Sequence, residues 1–176
     1  AQAPGTHDNP LLIYGESGLG QPHLMHAIGN AIRANNPKAK VIYVGAERFL
    51  RDLITSIQSH KTEDFKTRYR SADALLMDDI QFIANKPTSQ EELFHTFNEL
   101  LDGRQQMVLT CDRYPEELEN LDKRLKTRFT WGLSHAVEPP DMETRAAIFL
   151  STSEQTGIKI SQDGAFFIAP HSRSKV

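Results

Sequence analysis

Three groups of residues in this sequence have the types and spacing to do chemistry. The first is Gly15-Glu16-Ser17-Gly18-Leu19-Gly20-Gln21-Pro22, which follows the apolar run Leu11 to Tyr14. Its spacing is that of a phosphate-binding loop, G-x-x-x-x-G-K-[ST], placed between a strand and a helix as such a loop requires. The glycines let backbone N–H groups turn toward phosphate oxygens, and the N-terminus of the following helix adds favourable partial charge. His23, next along that helix, completes the candidate phosphate-side positions. Two positions depart from the pattern. Gln21 stands where a lysine would put a positive charge on the β- and γ-phosphates, and Pro22 where a Ser or Thr hydroxyl would reach Mg²⁺. Proline also lacks the backbone N–H, yet it is tolerated in a first helical turn. Loss of one charged hydrogen bond, worth roughly 1.5–3 kcal/mol, weakens binding about ten- to a hundredfold.

The second group is acidic. Asp78-Asp79 ends the apolar run Ala74 to Met77. Asp78 is placed to hold Mg²⁺ and Asp79 to orient or activate an attacking water. The plainer reading is a strand-to-loop transition with two solvated acids. Asp112 ends the next apolar run and is a candidate sensor of the γ-phosphate or the lytic water; otherwise it is a turn residue before Arg113-Tyr114-Pro115. The third group is the basic run Lys123 to Phe129, containing Arg124 and Arg128. Such a run is either a solvated helix face or an arginine edge reaching a neighbouring subunit's nucleotide, where a planar, always-charged fork matches phosphate geometry. His23 and His26 could share a helix face, but no third ligand is near in sequence, so they read as surface or packing residues.

The elements that must position these groups alternate. Strands are predicted at Leu11–Tyr14, Val41–Val44, Ala74–Met77, Met107–Thr110 and Leu133–Val137. Helical spacing covers about 23–34, 46–59, 62–70 and a stretch ending near Gly103, which Ser89-Gln90-Glu91-Glu92 opens with a capping-box pattern. Asp141 caps a helix to about Thr156, and the last twenty or so residues begin another. Continuous apolar strands separated by helices imply a parallel sheet covered on both faces, with ligands at the carboxyl ends of the strands. The Gly15 loop, Asp78-Asp79 and Asp112 all fall at such ends.

Composition sets outer limits. The chain has 176 residues, about one domain's worth, with 39% hydrophobic and 24% charged residues, an ordinary globular balance. The formal net charge of −3 advertises no nucleic acid, so any DNA contact needs a local patch or another domain. The single cysteine, Cys111, excludes an internal disulfide and suits a cytosolic setting. No apolar run is long enough to span a bilayer, and residues 1–8 read as a flexible lead-in without a signal pattern.

Longer segments carry a resemblance. Met77 to Lys86, Ser89 to Asn98, Thr110 to Pro115, Arg124 to Phe129 with Trp131-Gly132-Leu133, Glu138-Pro139-Pro140 and Glu143-Thr144-Arg145 resemble, in order, the AAA+ domain of bacterial replication initiators of the DnaA type. The resemblance implies an α/β P-loop NTPase fold, a three-layer sandwich with a five-stranded parallel sheet over residues 9–157, followed by the start of a truncated helical lid over 158–176. It implies ATP or ADP with Mg²⁺ as cofactor, slow hydrolysis, a filament on origin DNA that opens the duplex, and contacts with the replicative helicase and regulators in a bacterial cytoplasm. Asp78 and Asp79 match the Walker B acids, Asp112 the sensor I position, Arg128 the arginine finger and Arg124 its companion. Ile54 and Lys86 match single-strand DNA contacts, whereas Thr88 replaces a residue that is basic in some members. The segment before Asn9 that helps hold adenine, the sensor II arginine and the duplex-binding domain are expected beyond this sequence. Two other readings share the fold: a nucleotide-defective regulatory module acting on a partner, and a helicase-loader ATPase.

Overall fold

A computed structural model of the chain describes residues 8–170; nearly all of the expected lead-in and the last six residues of the expected lid lie outside them. The strands are β1 Leu11–Tyr14, β2 Val41–Gly45, β3 Ala74–Asp78, β4 Gln106–Cys111 and β5 Leu133–Ala136. They form one parallel sheet in the order β2-β3-β4-β1-β5. The helices are α1 Gln21–Asn35, α2 Ala46–Gln58, α3 Thr62–Arg70, α4 Pro87–Asp102, α5 Lys123–Phe129, α6 Met142–Thr156 and α7 Gln162–Ile168, with short 3-10 turns at Ile80–Ile83 and Pro115–Glu117.

Alternation along the buried strands explains the layers, because successive side chains leave opposite faces. Leu75, Met77 and Leu109 join Phe49 and Leu53 of α2, Leu93 and Phe97 of α4, and Leu125 and Phe129 of α5 in the larger core cluster. Leu76, Val108 and Ile13 face the other way, against Met25 and Ile32 of α1. The sheet is therefore sandwiched between helices, as expected for the AAA+ fold. α6 and α7 pack on each other through a separate small cluster of Ala146, Ala165 and Ala169.

One sequence expectation is corrected. The capping box at Ser89 does not form: α4 starts at Pro87, with Lys86 as its N-cap and no side-chain cap bond. Proline's fixed φ starts the helix two residues earlier, which leaves Ser89 buried inside the first turn. The edge strand β5 is the most exposed part of the sheet. β5 pairs with β1 alone, and Leu133, His135 and Ala136 are exposed. A cleft of about 820 Å³ runs beside it, lined by Leu11, Ile13, Leu24, Ile28 and Val137 among others.

Candidate functional site

The sheet order brings the carboxyl ends of β1, β3 and β4 together, with Tyr14 opposite Cys111 and Met77 opposite Leu109. The loop leaving β1 is shaped by its glycines. Gly15 donates its N–H to the Cys111 carbonyl at 3.2 Å. A Cβ on Gly15 would sit 2.4 Å from the Val137 carbonyl oxygen, so the end of β5 can approach only a glycine. Gly18 and Gly20 adopt left-handed φ of 90° and 84°. Leu19 is buried and anchors the loop, while Glu16, Ser17 and Gly18 face solvent. No side chain caps the first turn of α1, and Pro22 and His23 are exposed there.

Gln21 is turned inward and only 5% exposed. Its Nε2 donates to the Gly15 carbonyl at 3.1 Å and to the Cys111 carbonyl at 3.1 Å. An amide nitrogen carries two hydrogens and an ammonium three. A lysine placed here could satisfy both carbonyls and keep an N–H for phosphate. The Gln21 side chain has no donor left, and its remaining polar atom, Oε1, is an acceptor that repels an anion.

At the end of β3 the acids are already partnered. Asp78 Oδ2 accepts the Tyr43 hydroxyl at 2.7 Å, and Oδ1 accepts the Thr110 hydroxyl. The Thr110 oxygen in turn accepts the Asp79 N–H at 2.9 Å. Burial, followed by the bond to Asp78 and its charge, pushes the Tyr43 hydroxyl well above its ordinary range, so it stays a donor. His26 of α1 stacks on Tyr43, with ring centroids 4.6 Å apart.

Asp79 sits at φ 58°. Its Oδ1 accepts Gln81 Nε2 at 3.0 Å, and Gln81 Oε1 accepts the Asp112 N–H at 3.3 Å. Burial raises the Asp79 carboxyl above its usual range; the Gln81 bond opposes this, and the charges of Asp78 and Asp112 add to it. Asp112 is held in a fork by Arg113 at 2.9 and 3.1 Å.

These residues fit a nucleotide unequally. The glycine loop and the open N-terminus of α1 fit phosphate. The metal half fits less well: Pro22 has no hydroxyl, and each oxygen of Asp78 already accepts one hydroxyl hydrogen from within the chain, which leaves one lone pair apiece. Among the described residues no cluster of three His, Cys, Asp or Glu side chains could hold an ion.

On the other edge, Asp122 caps α5 by accepting the Arg124 N–H at 2.8 Å and also grips the Arg124 guanidinium. Arg124 lies over the Phe94 ring at 4.7 Å, and Arg128 over Trp131 at 5.9 Å. Trp131 is 69% exposed. Ile54, 48% exposed, and Lys86 meet in one cleft of about 310 Å³, with Leu53, Ile57, Asn85 and Thr88. Sequence reasoning named both of those residues, which the structure brings to one cleft, but missed Tyr43, Thr110 and Gln81 as partners of the acids. Thr110 stood inside a quoted strand end. Tyr43 carried only the faint signal of a hydroxyl in an apolar strand.

The chain matches the model of the bacterial DnaA ATPase domain over residues 1–136. It belongs to the bacterial DnaA family. Domain III of Thermotoga maritima DnaA is 42% identical, with TM-score 0.89, over 94% of this chain and 69% of that one. The AMPPCP-bound DnaA of Aquifex aeolicus is 31% identical, with TM-score 0.86, over 97% of this chain and 53% of that one. A replication initiator DnaA solved with AMPPCP and single-stranded DNA is 31% identical, with TM-score 0.86, over 96% of this chain. This chain spans about half the length of the last two. A DnaC helicase loader at 13% identity and TM-score 0.68 shares the fold alone. Among the described residues, no helix is long and apolar enough to cross a membrane.

Proposed function

We propose that this chain is the AAA+ core of a DnaA-type initiator that assembles on origin DNA and promotes duplex opening, with its nucleotide contact weakened at Gln21 and Pro22. The observation that carries this reading is the convergence of the Gly15 loop, Asp78-Asp79 and Asp112 at adjoining strand ends. ATP or ADP phosphates lie against Gly15 to His23. Mg²⁺ at Asp78 is the family's arrangement, and with the ligands present here no hydrolytic step is assigned to Asp79 or Asp112. Arg128, with Arg124 beside it, faces a neighbouring copy's nucleotide in the assembly. Ile54 and Lys86 take single-stranded DNA, a ligand with which one relative was solved, and their meeting in one cleft supports a shared contact. Duplex binding and the helicase and regulator contacts belong to the rest of the initiator.

The test is titration calorimetry with ATP and ADP on this chain beside a Gln21→Lys, Pro22→Thr version. Binding by the restored version alone supports an initiator core disabled at these two residues. Equal binding by both overturns the weakened loop.

A second reading has its own observation, the use of both Gln21 amide hydrogens inside the protein. In it the chain is a nucleotide-free module that stimulates a partner's ATPase through Arg128. If Arg128→Ala leaves the partner's turnover unchanged, that reading fails.

A further inference from the structure

One buried side chain ties together two surfaces that lie apart in sequence. Gln90, in the first turn of α4, is only 5% exposed. Its Nε2 donates to the Ile83 carbonyl at 3.1 Å and to the Asn120 carbonyl at 2.9 Å, and its Oε1 accepts the Asp122 N–H at 2.6 Å. Every hydrogen on the amide nitrogen is used, and so is the oxygen. The Asn120 carbonyl also accepts the Asn85 N–H at 3.3 Å. Asn85 and Asn120 both hold left-handed φ, 64° and 57°, a conformation that asparagine tolerates in tight loops.

The two segments it joins carry candidate site residues. Ile83 leads into Asn85 and Lys86, the wall of the cleft opposite Ile54. Asp122 is the N-cap of α5 and grips Arg124. α5 also packs on α4 through Phe97 and Phe129, with ring centroids 5.3 Å apart. The cleft wall and the start of the arginine helix therefore share one buried amide. A shift of either wall or helix has to break or re-aim a bond to Gln90, because buried polar groups without partners are costly.

We propose that Gln90 is a positioning residue that couples the Ile54–Lys86 cleft to the arginine helix α5. Occupancy of the cleft then changes how firmly Asp122 holds Arg124. The coupling rests on the reading of the cleft as the single-strand site, whereas the joint itself does not.

Residue-resolved native-state hydrogen exchange on the whole chain tests both. In the Gln90→Met variant, which keeps the length and loses both donors and the acceptor, the amides of Asn85 and of Asp122 to Arg124 should exchange roughly ten- to a hundredfold faster. Those of β3 and β4 should stay unchanged. Acceleration of only one segment, of neither, or of the whole chain equally overturns the joint. Should the Met variant fail to fold, Gln90→Glu keeps the acceptor for Asp122 and removes the donors; Asn85 then accelerates more than Asp122, and equal rates overturn the joint. Adding oligo(dT) should slow exchange around Asn85 in both proteins and around Asp122 only in the wild type. Slowing at Asp122 in the variant as well overturns the coupling. No response to oligo(dT) in either protein, with the first result intact, removes the single-strand reading and the coupling built on it but leaves the joint standing.

Discussion

At the scale of the residue, Gln21 and Asp79 decide what this site can do. Gln21 lies where a phosphate-facing charge would be, but its donors are turned to the Gly15 and Cys111 carbonyls. Gln21→Lys alone should therefore raise ADP affinity about ten- to a hundredfold. That gain should be the same with and without EDTA, because Pro22 still offers no hydroxyl to Mg²⁺. Magnesium dependence should return only when Pro22→Thr is added, as calorimetry in both buffers can show. Asp79 gives a pH prediction. Burial raises its folded pKa, so the native state binds more protons than the unfolded chain just above the usual carboxylate range. Stability contributed at this site consequently falls as pH rises through that window. Asp79→Asn keeps the acceptor for Gln81 and tolerates the left-handed φ. It should raise the melting temperature at neutral pH, and the gain should vanish in acid. A gain that persists in acid would count against burial as the cause.

At the scale of the element, helix starts and strand ends do the positioning. α6 begins where Asp141 accepts the Thr144 N–H at 2.8 Å. Asp141→Ala should cost about 1 kcal/mol, read as a shift of the denaturation midpoint. The Gly15 loop is less forgiving. A methyl group on Gly15 meets the Val137 carbonyl oxygen, and both are backbone-held. Gly15→Ala should lower stability and distort the loop, whereas Ser17→Ala, at an exposed position of the same loop, should leave the melting temperature within about a degree, since such surface changes are nearly neutral.

At the scale of the whole molecule, the net charge of −3 makes nucleic-acid binding a local matter. The cleft between α2 and the start of α4 pairs apolar Ile54 with cationic Lys86. Lys86→Ala should weaken oligo(dT) binding and reduce the slope of log affinity against log salt by about 0.7, the share of one phosphate contact on a single strand. Ile54→Ser should weaken binding with the slope unchanged, because no counterion is released at that contact. Fluorescence anisotropy over a salt series separates the two, and equal slope changes for both would remove the cleft as a strand site.

The sequence by itself determined the strand–helix alternation, the glycine loop, the acids at strand ends and the family, because these are written in local periodicity and contiguous motifs. Its strands agree with the structure to within a residue or two, from Leu11 to Ala136. What only the tertiary structure decided are the bonds between residues distant in the chain: Tyr43 and Thr110 on Asp78, Gln21 on Cys111, and Gln90 on Asn120 and Asp122. The start of α4 at Pro87 does not belong with these, since proline's fixed φ favours a first helical position and competed locally with the Ser89 pattern. The reason is physical: a side-chain amide or hydroxyl has the same composition signature whether solvated or partnered, and only the sheet order that sets β1 between β4 and β5 fixes which carbonyls come within reach.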